Sequence, residues 1–159
     1  MKKIFIVNGK PRAGKDTFAE LLSKHCRVFK YSSVDKVKKI AAQCGWDGGK
    51  TEKDRKFLSD LKRITTEFND MAYDDLAEKV AYFLKTDFFD VMLIDIREPE
   101  EIERAIEGFG AESLYINNVN VPMITSNASD ANVNSFLYDH IVGNDGTYHN
   151  IPDDELAWH

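Results

Sequence analysis

Apolar positions along the chain switch between two periods, and the switches divide it into alternating strands and helices. Ile4-Phe5-Ile6-Val7 is a continuous apolar run closed by Asn8-Gly9, the pattern of a strand buried on both faces. From Lys15, Phe18, Ala19, Leu21 and Leu22 recur at helical spacing. Val28–Tyr31 reads as a second short strand. Ser32 and Ser33 then offer an N-cap to a helix marked by Val34, Val37, Ile40 and Ala41, which stops near Gly45. Trp46-Asp47-Gly48-Gly49 is a turn. Residues 51–71 carry Phe57, Leu58, Leu61, Ile64 and Phe68 at helical spacing, and Tyr73–Lys85 repeats the pattern with Leu76, Val80 and Phe83 on one face.

Phe89–Ile94 is the strongest later strand and runs into Asp95-Ile96-Arg97. Pro99 suits the first turn of a helix continued by Ile102, Ala105 and Ile106. Ala111–Ile116 is another strand. Asn117–Asn134 is rich in Asn, Ser and Asp and reads as a loop, with a helix ending the stretch Ser126–Leu137. Tyr138–Val142 is the last strand, and the turn Gly143-Asn144-Asp145-Gly146 leads into a polar tail. The alternation predicts an α/β fold: a three-layer arrangement with a mostly parallel five-stranded sheet and helices on both faces. No repeat or linker splits the sequence, so one domain over 1–159 is expected. Ligands of such sheets sit at the carboxyl ends of the strands. That rule brings Gly9–Asp16, Asp95–Arg97 and Asn144–Gly146 to one edge.

Composition narrows the function. The chain has 159 residues, 43% hydrophobic and 30% charged. No apolar run approaches the length of a membrane span, and the opening Met1-Lys2-Lys3 with its short apolar stretch is too brief for a secretory signal. A cytoplasmic protein without a membrane partner is expected. Cys26 and Cys44 lack metal-binding spacing, so they are expected as reduced thiols packed like small apolar groups. Charge is unevenly spread: residues 1–63 hold 17 Lys and Arg against 7 Asp and Glu, whereas 64–159 hold 4 against 20. The basic part contains the glycine-rich loop, which a small phosphorylated ligand explains. Nothing resembles a nucleic-acid-binding module.

That loop is Gly9-Lys10-Pro11-Arg12-Ala13-Gly14-Lys15-Asp16, a match to G-x-x-x-x-G-K between a strand and a helix. Its glycines let the backbone turn sharply and aim N–H groups at phosphate oxygens, and the helix behind adds its dipole. Lys15 can span the β- and γ-phosphates of ATP. These features predict the P-loop nucleoside triphosphate hydrolase fold. Asp16 stands where Ser or Thr is usual. A carboxylate is also a hard oxygen donor, so Asp16 and Thr17 are the candidate Mg²⁺ ligands here; the plainer role for Asp16 is to complement the helix dipole.

Gly9 to Thr17 resembles the G-x-x-R-x-G-K-D-T loop of phage-type deoxynucleoside monophosphate kinases, small P-loop kinases of the adenylate-kinase-like kind. Tyr31–Lys38 is similar to that family's F-A-D-x-x-K segment, and Trp46-Asp47-Gly48 with Lys53, Arg55 and Leu58 to its W-D-G…K-x-x-x-R-x-L-L stretch. Asp95–Glu101 resembles D-x-R-x-x-x-E, and Phe136–Asn144 the closing F-D-x-x-I-x-N strand. The resemblance is ordered and spans most of 4–147. It implies ATP and Mg²⁺ as cofactors and a small-molecule phosphate acceptor, in deoxynucleotide metabolism, for a monomer or homodimer. By it, Lys15, Arg12, Asp95 and Arg97 would be catalytic. Gly9, Arg12, Ala13, Gly14, Lys15, Asp16, Thr17, Asn144 and Gly146 would hold ATP. Asp35, Lys38, Arg55, Arg63 and Arg97 would hold the acceptor, and Asp95 would join Asp16 and Thr17 at the metal. The plain alternatives are a strand-end helix cap for Asp95, ion pairs with Glu100 or Glu101 for Arg97, solvated charges for Arg12, Lys38, Arg55 and Arg63, and an ordinary turn for Asn144 and Gly146.

Relatives place arginines in a lid over the phosphates, but residues 105–159 contain no Lys or Arg. The expected lid, reduced and around 117–131, carries only Asp130 as a charge. Three readings stay open: a deoxynucleoside monophosphate kinase, another small-molecule kinase of the dephospho-coenzyme A or phosphomevalonate type, and a nucleotide-binding module with little activity.

Overall fold

The computed structural model describes residues 2–9, 14–118 and 138–144. Along them run β1 (Lys3–Gly9), α1 (Lys15–Leu22), β2 (Val28–Ser32), α2 (Asp35–Gln43), α3 (Glu52–Asn69), α4 (Met71–Lys85), β3 (Val91–Asp95), α5 (Pro99–Phe109), β4 (Glu112–Asn118) and β5 (His140–Asn144). The strands form one five-stranded sheet in the order β2-β3-β1-β4-β5. Strand β1 pairs in parallel with β3 and β4, and β4 with β5. This is the α/β architecture read from the alternation.

The described residues fall into two compact units, one ending at Lys30 and resuming at Thr86, the other Tyr31–Lys85. In the first, strand pleating sorts β1 into two faces. Phe5 and Val7 join Leu93, Leu114, Ile116 and Val142 on one face, packed with Phe18, Ala19 and Leu22 of α1. Burying Phe18 and Leu22 contributes about 2 kcal/mol each, which fixes the helix that follows the glycine-rich loop. Helix α5 lies against β1 and β4. Its Ile102 and Ala105 are fully buried outside the first cluster, as are Ile6, Met92 and Ile94 of the opposite sheet face. Pro99 opens α5 as expected, and Gly110 closes it with left-handed backbone (φ 67°), which glycine adopts without strain.

The second unit packs α2, α3 and α4 pairwise. Val37, Ala41, Leu76, Val80 and Phe83 are buried there. The Tyr31 hydroxyl donates to the buried Asp75 carboxylate. Burial first, then that bond, pushes the Tyr31 phenol far above its ordinary pKa. Thr51 and Asp54 form a reciprocal capping box at the start of α3.

Several expectations shift. Ser32 and Ser33 do not cap α2 from the N-cap position. That position is Val34, without a side-chain cap bond, and the Asp35 carboxylate instead accepts the Ser32 N–H at 3.0 Å. The helix expected over 51–71 stops at Asn69, because Asp70 takes left-handed backbone (φ 56°) and returns its N–H to the Thr66 carbonyl; α4 begins at once with Met71. No residue of α3 is fully buried: Leu58 and Leu61 are half-buried, while Phe57, Ile64 and Phe68 of the same apolar spacing stay exposed. Cys26 packs against the first core as expected, while Cys44 is exposed; both are free thiols. Strand β5 runs two residues past Val142, so Asn144 is paired with Asn118 in the sheet rather than lying in a turn. The helix expected to end the stretch 126–137 falls outside the described residues.

Candidate active site

Strand order locates the site before any side chain does. From β1 the sheet extends through β3 and β2 on one side and through β4 and β5 on the other. A doubly wound sheet opens its ligand crevice at such a reversal, beyond the carboxyl ends of the strands. Register puts Val7 level with Asp95, Gly9 with Ile116 and Asn118 with Asn144, so Gly9, Asp95 and Asn144 end their strands along one edge.

Gly14 forms the entry to α1 with φ 99° and ψ 27°, a conformation that disfavours any residue with a Cβ. It provides no side-chain cap, and the first intrahelical bond runs from the Phe18 N–H to the Gly14 carbonyl at 2.9 Å. The first-turn N–H groups of a helix have no carbonyl one turn back to bond, and the dipole favours an anion at such an end. Lys15 is half-buried at this point. Asp16 and Thr17 are exposed, and the Asp16 carboxylate pairs with the Lys30 ammonium at 3.1 Å. Arg12 and Ala13 lie outside the described residues, as do Gly146 and positions 119–131 of the expected lid.

Sequence reasoning missed the group that ties the strand ends together. Asn8 is fully buried at the end of β1. Its Oδ1 accepts the Gly9 N–H at 2.8 Å, while its Nδ2 donates to the Arg97 carbonyl at 3.2 Å and to the Tyr138 hydroxyl at 3.0 Å. The Gly9 N–H can only donate, which fixes the amide orientation. Beside it, the Ile96 N–H reaches the Val7 carbonyl at 3.4 Å, so the backbone after β3 stays joined to β1. Tyr138 and Tyr115 set their rings 5.0 Å apart. Burial above all pushes the Tyr138 phenol up to about 12, with Tyr115 adding and the Asn8 bond opposing. The Ser113 hydroxyl accepts the Asp139 N–H at 2.8 Å and the Asp139 carboxylate accepts the Ser113 N–H at 2.8 Å, which anchors the approach to β5. The available signal was one polar residue closing an apolar strand just before the loop's first glycine.

Asp95 is half-buried at the end of β3, and Arg97 is exposed two residues on. Asp35, Lys38, Arg55 and Arg63 belong to the unit Tyr31–Lys85. Asp35 closes a turn onto the Ser32 N–H; Lys38 and Arg55 are exposed; Arg63 pairs with Glu67 at 3.5 Å and Asp60 at 3.9 Å on its own helix. Among the described residues no group of three or more His, Cys, Asp and Glu is arranged to hold a metal. Mg²⁺ in nucleotide sites needs only one or two protein oxygens beside phosphates and waters, and the donors near the loop fit that demand. No helix of the described residues is long and apolar enough to cross a membrane.

No protein-family profile matches the chain, and no curated protein matches it. Solved structures do. A candidate kinase from Chloroflexus aurantiacus J-10-fl is 14% identical with a TM-score of 0.55, over 99% of this chain and 92% of that one. The shikimate kinase of Aquifex aeolicus gives 13% and 0.44, over 98% and 92%. The Mycobacterium tuberculosis APS kinase CysC, as its Cys556Ala mutant, gives 13% and 0.42, over 99% and 92%. The last two scores are too low to add to the first, which shows a shared fold: the chain has the five-stranded, parallel α/β fold of the P-loop type.

Proposed function

We propose that this chain transfers the γ-phosphoryl group of ATP to a small phosphorylated acceptor, a (deoxy)nucleoside monophosphate. One observation carries the reading: a G-x-x-x-x-G-K sequence stands between a buried central strand and a helix whose entry is a left-handed glycine, at the strand-order reversal of the sheet. The amides of the first turn of α1 and the Lys15 ammonium hold the β- and γ-phosphates in this account. Asp95 and Thr17 are the oxygen donors for Mg²⁺. Asp16 joins them only by giving up Lys30. When bound, the ion neutralises charge on the phosphates. Arg97 grips the acceptor phosphate, Arg12 serves the transferring group, and Asn144 and Gly146 serve the adenine. An acceptor phosphate oxygen bonds to the γ-phosphorus as the bond to the β,γ-bridging oxygen breaks, leaving ADP.

A second reading has its own support. Phosphoryl transfer runs on positioned cations, and residues 105–159 supply none. That favours a nucleotide-binding module with slow transfer. Incubating the protein with ATP, Mg²⁺ and a panel of nucleoside monophosphates, dephospho-coenzyme A and phosphomevalonate separates the readings. Diphosphate product from one or two nucleotides supports the kinase. Product from only a non-nucleotide acceptor moves the acceptor class, and ATP binding without product on any acceptor replaces the kinase by the binding module.

A further inference from the structure

Helix α3 buries none of its 18 residues, yet it lines up Phe57, Ile64 and Phe68 at 36%, 53% and 84% exposure. Positions i, i+7 and i+11 fall on one narrow stripe of a helix. A stripe of large apolar groups facing water marks an interaction surface. Phosphoryl transfer gives it no role.

The charges beside the stripe say what fits it. Along one flank, from the helix start to its C-cap, come Lys53, Lys56, Asp60, Arg63, Glu67 and Asp70. Turn a second α3 end for end about a two-fold axis between Leu61 and Lys62. Lys53 then faces Asp70, Lys56 faces Glu67 and Asp60 faces Arg63, every pair opposite in sign. A two-fold axis lying in the contact brings the same flank of each helix together, so these pairs meet rather than miss. In that register Phe57 falls opposite the gap between Ile64 and Phe68, the knob-into-hole placement. Moving the axis to Asp60 sets Asp60 against itself and loses the match. Present ion pairs do not resist the exchange: Lys56–Asp60 at 2.7 Å and Arg63–Glu67 at 3.5 Å are exposed, and such pairs contribute little.

We propose that two copies of this chain associate through α3, antiparallel, with Phe57, Ile64 and Phe68 buried between them and the Lys56–Glu67 and Asp60–Arg63 pairs crossing the interface. Helix α3 has 18 residues, so the contact is small, and self-association on the order of 10 µM is expected.

Sedimentation velocity of the full chain over a concentration series, from about 1 to 300 µM, tests this without reference to catalysis. Wild type is expected to pass from monomer to dimer. Phe68→Glu, at a position 84% exposed and so tolerant of the change, is expected to weaken association at least tenfold with an unchanged circular dichroism melt. Glu67→Lys is expected to weaken it and the double variant Lys56→Glu/Glu67→Lys to restore it. A wild type that stays monomeric at the highest concentration overturns the proposal, as does a dimer indifferent to Phe68→Glu. A double variant no better than Glu67→Lys alone overturns the antiparallel pairing.

Discussion

The Asn8 side-chain nitrogen lies 3.0 Å from the Tyr138 hydroxyl, across 130 positions of sequence. The same amide holds the Gly9 N–H and the Arg97 carbonyl, so one buried side chain joins the root of the glycine-rich loop, the segment after β3 and the approach to β5. A buried polar group with all its bonds made stabilises modestly, but leaving its partners unsatisfied is expensive.

Asn8→Asp keeps the shape and removes the donor. The Arg97 carbonyl then faces a carboxylate, and a loss of about 2 kcal/mol is expected. Denaturant unfolding of the pair of proteins reads it. A midpoint equal to wild type would mean that the hub does not hold these segments.

Lys15→Ala is expected to lower turnover by about 10²-fold or more, since an ammonium at the phosphates is removed. Lys15 sits on a half-buried helix start rather than in the core, so the thermal melt should stay near wild type. Steady-state rates beside a melt check both halves, and an unchanged rate would remove Lys15 from the chemistry.

Arg97→Ala is expected to raise the acceptor's KM far more than that of ATP, because a forked cation is lost from one substrate only. Initial-rate kinetics with each substrate varied in turn measure the split. Equal changes in the two constants would place Arg97 elsewhere.

Tyr138 gives an alkaline signature. Its folded pKa is raised to about 12, so the neutral phenol is favoured by folding. The contribution is fully present below the unfolded value of about 10 and is lost as pH rises through the folded value. Tyr138→Phe is expected to flatten the loss of stability across that window, measured by unfolding at stepped pH. A variant with the slope of wild type would show that this phenol does not titrate with folding.

How far the sequence could be read depended on the range of the forces involved. The buried strands β1 and β3, the Pro99 start and the Gly45 stop are local matters of apolar runs and backbone preference. The same holds for the glycine-rich loop, whose chemistry depends on adjacent residues. The face of α3 was visible as a spacing, but periodicity reports that apolar groups share a side and not whether anything covers them. Phe68 stayed in water for that reason. The Ser32-Ser33 cap fails because Val34 takes the N-cap position, and the Asp35 carboxylate bonds back to the Ser32 N–H. Asn144 looked like a turn residue from its Gly-Asn-Asp-Gly setting, yet pairing with Asn118 carried β5 through it. The Asn8 hub depends on contacts with Arg97 and Tyr138 that no short window of sequence contains.

The measurement closest to the heart of the account is a backbone amide NMR titration of the full chain with ATP and Mg²⁺. Saturable shifts concentrated at Gly14 to Thr17, absent in Lys15→Ala at the same nucleotide concentration, are expected. Saturable binding that leaves those amides unmoved while shifting residues elsewhere would contradict it.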